Sequence, residues 1–267
     1  MSATTTSRAG EHTPHGTSSA AEPASRSVTV ASQKRLARTA GVLYLGVAVL
    51  GGWAHQGVRS MVYVPGDAAV TANNVVEHAS LVRYGFVADL VQATLMLFVV
   101  LALYRLLQHA GRPVARAMVV LVIVSTAITS LNMVNQFGAL LVATDPTYAA
   151  AFGAGGSDAL VLLLLDLQHH GYLIAQIFFG LWLFPLGLLA YRSNMFPRPI
   201  GIGLLVGAVA YLIDVPLQFL APEFADTISP IVLIPIVIAA EVSMLIYLLV
   251  KGVRATPQEP ALASPTD

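Results

Sequence analysis

The chain has no cysteine and little charge. The first absence excludes disulfides, thiolate metal sites and cysteine nucleophiles, and leaves the compartment open. Charged residues make up only 10% of the 267 positions against 56% apolar, and mean hydropathy is +0.74, outside the balance of soluble domains. The 14 Lys and Arg are matched by 14 Asp and Glu, so there is no basic surplus to attract nucleic acid. HExxH, GxSxG and P-loop patterns are missing too, so the common hydrolase and nucleotide signatures support no enzyme.

What the chain does have is long apolar runs. A bilayer core about 30 Å thick needs about 20 mostly apolar residues per spanning helix, and six windows qualify: 36–58, 84–107, 114–143, 167–191, 200–220 and 229–250. The expected class is therefore an all-α, polytopic membrane protein. Residues 1–34 are rich in Ser, Thr, Ala and Pro, cannot bury enough apolar surface to offset ordering, and read as a disordered tail. No apolar run follows the starting Met, so they do not read as a signal peptide. Residues 35–254 form the membrane domain, and residues 255–267 read as a second disordered tail.

Lys and Arg in short loops set orientation. Lys34, Arg35 and Arg38 precede the first span; Arg105, Arg112 and Arg116 lie between the second and third; Arg192 and Arg198 follow the fourth; Lys251 and Arg254 follow the sixth. The alternate loops hold only Arg59 and Arg83 among several acids. Both termini are expected in the cytoplasm, with the chain in the plasma (inner) membrane. In the first outer loop Pro65 and Gly66 make a turn, with Asp67 an N-cap for a short interfacial helix. Residues 157–165 are too short to span and either pack on the bundle or extend the fourth helix. Pro185 and Pro235 fall inside spans, where they kink helices.

Small residues permit close helix approach in lipid. Gly203 and Gly207 form a GxxxG in the fifth span, and Gly180 and Gly187 stand two turns apart in the fourth. Packing of these two helices on each other is expected; a homo-oligomer seam through Gly203 and Gly207 is the alternative.

Intramembrane acids mark candidate sites. Asp89, Asp214 and Glu241 fall within spans, with no Lys or Arg expected at their depth, so each requires a proton, polar partners or a bound cation. Gln92 shares the face of Asp89, Asn132 and Gln136 share another, and Gln218 accompanies Asp214. Most lie toward the outer side, which points to an outward-facing polar pocket among the helices for a small ligand, lipid or partner. Asp166, His169 and His170 stand at i, i+3 and i+4 on one helical face, a geometry suited to a divalent ion, with His55, His78 or Glu77 to complete the shell. Histidines at the interfacial end of a helix are also commonly just hydrogen-bonded or solvated, and no cofactor is required by the pattern.

Four blocks carry a family resemblance: TANNVVEHASLVRYGFVADL, DLQHHGYLIAQIFFGL, LGLLAYRSNMFPRPIGIGLLVGAVAYLID and FLAPEFADTISP leading to EVSMLIYLLVKGV. Together they resemble bacterial integral membrane proteins grouped as domain of unknown function 4386, across about residues 36–253. The resemblance implies a multi-helix bundle and supplies no catalytic residues. It also implies a His after FFGL, where this chain has Trp182. The reading is a six-helix membrane protein with a polar pocket. The alternatives are a proton- or cation-coupled transporter using Asp89, Asp214 and Glu241, and a metal-dependent intramembrane enzyme around Asp166, His169 and His170.

Overall fold

A computed structural model describes residues 21–254, and among these there is no strand. The first helix, α1 (Ala21–Gly52), runs into a π-helical stretch, Trp53–Arg59, and a last turn, Ser60–Val62. Then come α2 (Ala68–Glu77), α3 (Ala79–Leu107) and α4 (Arg112–Thr144). The short α5 (Pro146–Phe152) precedes α6 (Ala154–Arg192), followed by α7 (Arg198–Leu220). The short α8 (Pro222–Ile228) leads through a second π-helical stretch, Ser229–Leu233, into α9 (Ile234–Val250). Six of these stretches are long and apolar enough to cross a membrane, as expected. Helix α1 begins at Ala21, inside the segment expected to be disordered; residues 1–20 and 255–267 lie outside the described residues.

Local chemistry explains the boundaries. The Asp67 side chain accepts from the Val70 backbone N–H at 3.0 Å and starts α2, as its position after Pro-Gly suggests. Asp145 does the same for α5, accepting from Thr147 N at 2.9 Å. Gly153, at φ 71°, makes the break between α5 and α6 in a region that side chains disfavour. From there residues 157–165 extend the fourth span outward. The resulting α6 has 39 residues, about 58 Å at 1.5 Å per residue, well beyond one bilayer thickness.

Helix α6 is the centre of the bundle. Its apolar window is 56% buried, whereas those of the other five are 22–39% buried and turn the rest outward. It packs most extensively on α4 and then on α7, while α1 packs on α3. Gly180 and Gly187 make the α6–α7 contact: a Cβ on Gly187 would stand 2.9 Å from the Gly201 carbonyl oxygen. The GxxxG pair does not act as a unit. Gly207 packs on Ala240 of α9, whereas Gly203 meets nothing within 4 Å, so the α6–α7 seam uses Gly201 instead.

The end of α9 and the corner between α6 and α7 lie beside the start of the first span. The Arg254 N–H donates to the Met195 carbonyl in the α6–α7 corner at 3.0 Å, and Gly252 abuts Lys34. The Arg198 guanidinium lies over the Tyr191 ring at 5.8 Å in the same corner. The largest buried core, containing Leu103, Met118, Trp182, Leu186, Leu204 and Met244, fills the half of the bundle next to this end. At the opposite end a smaller apolar core, with Val58, Val75, Leu140 and Leu165, stands beside a group of polar side chains.

Candidate functional site

The polar end of the bundle opens into a cleft of ≈ 310 Å³. The π-helical end of α1 lines it with His55, Gln56 and Arg59, joined by Ser60 and Tyr63 beyond. From α6 come His169, Tyr172, Leu173 and Gln176; Asp214 and Gln218 of α7 and Ile234 of α9 complete the wall.

Arg59 corrects the expectation that no cation stands at the depth of the acids. Hydropathy places the end of the first span at Val58, which assigns Arg59 to a loop. The helix instead continues through a π-turn to Val62, and Arg59 projects inward. One guanidinium nitrogen, Nη1, donates to Gln168 Oε1; the guanidinium lies 4.9 Å from the Tyr63 ring centroid; the other nitrogen, Nη2, is buried without a partner. With no proline between Pro23 and Pro65, the helix leaves α geometry here beside Gly51, Gly52 and Gly57, whose low helix propensity weakens the regular ladder. Single π-turns of this kind recur at functional sites.

His55, from the same π-turn, stacks on Tyr172 with ring centroids 4.0 Å apart and brings Nδ1 to 3.5 Å from Asp89 Oδ1. His55 Nε2, Asp89 Oδ1 and Gln176 Oε1 are, with Arg59 Nη2, buried atoms lacking a hydrogen-bond partner. Three of these atoms belong to residues lining one cleft, which stands out because buried polar groups are nearly always satisfied. Asp89 lies behind His55, about 15 Å along α3 from Ala79.

Asp214 is held differently. Ser229 Oγ, on the second π-turn, donates to its Oδ1, and Gln218 Nε2 approaches the same oxygen at 3.5 Å. Pro235 follows this π-turn. Its ring and missing N–H conflict with a regular ladder, and the wider turn relieves that conflict without a mid-span kink. Pro185, by contrast, sits inside α6 as expected.

The remaining sequence candidates separate into other groups. Asn132 Nδ2 donates to the Gln168 carbonyl at 2.7 Å, which joins α4 to α6, and its Oδ1 accepts from Asn135 Nδ2; the residue does not line the cleft. Gln136 borders a much smaller void of ≈ 20 Å³ beneath Arg59 and Gln168. Gln92 packs against Gly51 where α3 meets α1. Glu241 sits about 14 Å from the end of α9, accepting from Tyr44 Oη at 2.5 Å and Tyr211 Oη at 3.4 Å.

In the Asp166, His169 and His170 triplet, Tyr63 Oη donates to Asp166 Oδ1 at 2.6 Å, and His170 Nδ1 lies 2.8 Å from the Asp166 backbone oxygen. Only His169 of the three lines the cleft. Among the described residues, no three His, Asp or Glu side chains are grouped to hold a metal ion. Burial, then the Asp166 hydrogen bond, pushes the Tyr63 hydroxyl up to about 12, so it stays a donor across ordinary pH.

Residues 39–252 match the family described as Domain of unknown function (DUF4386). The chain belongs to that family. No curated protein and no solved structure matches it. The match covers all six spans of this DUF4386 protein and includes Arg59, both π-turns and every residue lining the cleft. Arg59 was the residue sequence reasoning missed. Its signal was present but faint: one of two cations on the side poor in Lys and Arg, four residues after His55 on the same helical face.

Proposed function

We propose that this DUF4386 protein is a plasma-membrane binding protein that holds a small polar ligand, or the headgroup of a lipid, in its outward-facing cleft. The observation that carries this reading is Arg59. Arg59 lines the cleft, Gln168 and the Tyr63 ring hold its guanidinium, and its Nη2 is buried without a protein partner. A desolvated cation with an unused donor is costly in a membrane unless something else completes it. The outward direction is supported by the basic residues at the opposite end, which assign both termini to the cytoplasm.

The test is native mass spectrometry of the full chain extracted in mild detergent. Wild type carries a bound small-molecule adduct, and Arg59→Gln from the same membranes loses it at unchanged thermal stability. Wild type free of any adduct overturns the reading.

One observation favours proton- or cation-coupled transport as a second reading. Glu241 lies in the bundle below the cleft, held by two tyrosine hydroxyls with no cation paired to it among the described residues. Acids in such positions serve proton relays in pumps and transporters. Ion flux in proteoliposomes that Glu241→Gln abolishes would establish this reading; flux equal to that of empty liposomes would remove it.

A further inference from the structure

The cleft has one fixed positive group and one fixed negative group, and they are not paired with each other. Arg59 is held by Gln168 and Tyr63, while Asp214 is held by Ser229 and Gln218. The only ion pair among the described residues joins His55 to Asp89, so Arg59 and Asp214 share the cleft without neutralising one another. Both hydrogen bonds to Asp214 go to Oδ1. Each charge is thus held by neutral neighbours on its own side, Arg59 on the first π-turn and Asp214 of α7 through Ser229 on the second.

A ligand with only a negative group would satisfy Arg59 and leave Asp214 buried and uncompensated; a purely cationic ligand would do the reverse. Either outcome forfeits much of the Coulombic gain, because a desolvated charge without a partner is costly. A molecule with both signs satisfies both ends. The wall between them offers Tyr172 and Leu173 for a short carbon skeleton, and ≈ 310 Å³ is at the small end of ligand pockets. Because the charged side chains are already fixed, ordering them costs little when the ligand arrives.

We infer that the cleft is a zwitterion site, taking an oxyanion at Arg59 and a primary ammonium at Asp214 Oδ2. This rests on the cleft being a ligand site at all. Two sources carry this chemistry, an ethanolamine phospholipid headgroup entering from the bilayer and a free amino-alkyl phosphate or amino acid entering from water. Asp89 and Asp166 are the rivals for the Arg59 charge, but Asp89 faces His55, the Oδ1 of Asp166 takes the Tyr63 hydroxyl, and neither residue lines the cleft. If Asp166 did balance Arg59, the site would favour a simple amine.

The experiment uses delipidated full-length protein and native mass spectrometry with defined probes: phosphatidylethanolamine, phosphatidylcholine, phosphatidylglycerol, O-phosphoethanolamine and ethylamine. The ethanolamine lipid is expected to be retained at least tenfold better than the glycerol lipid. The choline lipid falls between them, since its quaternary nitrogen cannot donate to Asp214. Arg59→Gln and Asp214→Asn each reduce that retention about tenfold; Asn at 214 preserves the acceptor for Ser229. If either variant fails to fold, the probe series on wild type still decides.

Retention of O-phosphoethanolamine in lipid-free detergent assigns the water-borne source, and retention of the diacyl lipid alone assigns the headgroup; both support the zwitterion. Equal retention of the ethanolamine and glycerol lipids, or indifference to Asp214→Asn, makes the ligand an anion. Ethylamine binding indifferent to Arg59→Gln makes it an amine. Those results overturn the zwitterion and leave the cleft a binding site. No adduct sensitive to either substitution removes both.

Discussion

Tyr44→Phe tests whether Glu241 is a structural centre of the bundle. The substitution removes one oxygen and leaves the ring, which is 4% exposed and meets Trp182 edge-on at 6.3 Å. What is lost is a 2.5 Å hydrogen bond between α1 and α9, groups 197 residues apart. Hydrogen bonds to charged acceptors contribute about 1.5–3 kcal/mol in proteins. Interhelical ones in lipid average about 0.6 and reach about 1.7, because the unfolded chain in the membrane also finds partners. The short distance puts Tyr44→Phe near the top of the membrane range, at about 1.5 kcal/mol. Tyr211→Phe removes a 3.4 Å contact to the other carboxylate oxygen and costs about 0.5 kcal/mol or less. Glu241→Gln supplies a neutral acceptor but adds an amide N–H₂ that must find its own partner. A double-mutant cycle with Tyr44→Phe should give a coupling of about 1 kcal/mol. Reversible unfolding by SDS in mixed micelles measures all five proteins, wild type and the double variant included. A Tyr44→Phe cost within about 0.3 kcal/mol of zero, or a larger cost for Tyr211→Phe, would refute the assignment of Glu241 to Tyr44.

Gly187→Ala sets a Cβ 2.9 Å from the Gly201 carbonyl oxygen and 3.0 Å from Leu205 N, so backbones must separate; the same unfolding assay should show a loss of about 1–3 kcal/mol. Gly203→Ala meets nothing and should be neutral or gain up to about 1 kcal/mol from helix propensity, with unchanged mass in analytical ultracentrifugation. Tyr63 has its folded-state ionisation raised from 10.0 to about 12, chiefly by burial, so the folded state binds that proton more tightly. Its contribution is therefore complete below pH 10 and fades as pH rises to about 12, and the stability advantage of wild type over Tyr63→Phe should shrink across that window and not below it. The chain has no cysteine, so single replacements label without background: Asp158→Cys should react with an impermeant maleimide from outside and Ala110→Cys only after the inner face is opened, and the reverse pattern inverts the topology.

The spans were legible because each is a continuous apolar run, and lipid permits little else than a helix there. Asp67 after Pro-Gly gave away the start of α2 for an equally local reason. What escaped was non-local or broke the 3.6-residue period. A hydropathy window stops at the first charge, so Arg59 read as loop although a π-turn carries it inward. Asn132 and Gln136 share a helical face with other polar groups, which says they point to the protein interior but not which neighbour they meet. Asn132 met a backbone carbonyl of α6, and the cleft lay elsewhere. Tyr44 and Tyr211 gave no sign of their role because nothing local ties a mid-span tyrosine to an acid on a distant helix. Gly203 and Gly207 show the limit of motif reading: spacing brings two small residues to one face, but the partner helices divided that face and used only one of them.

The two π-turns show why chemistry gathers at one end of this bundle. Near the end where Lys34, Met195 and Gly252 come together, a dense apolar core and glycine contacts fix the helices at short separations, leaving little room for irregular backbone. Irregular backbone at membrane depth persists only where protein buries it or a cavity receives it. Both π-turns lie at the other end, one bearing Arg59 in the cleft wall and the other bearing Ser229 against Asp214. Each turn leaves the regular ladder and places a polar side chain that a regular helix would direct elsewhere. A bundle selected for stability alone would gain by replacing Arg59, His55 and Asp89 with apolar residues of similar size, since buried charged groups commonly contribute less than their apolar substitutes. Their presence around an open cleft, with donors and acceptors left unmatched, is what a binding site requires and a packed core does not.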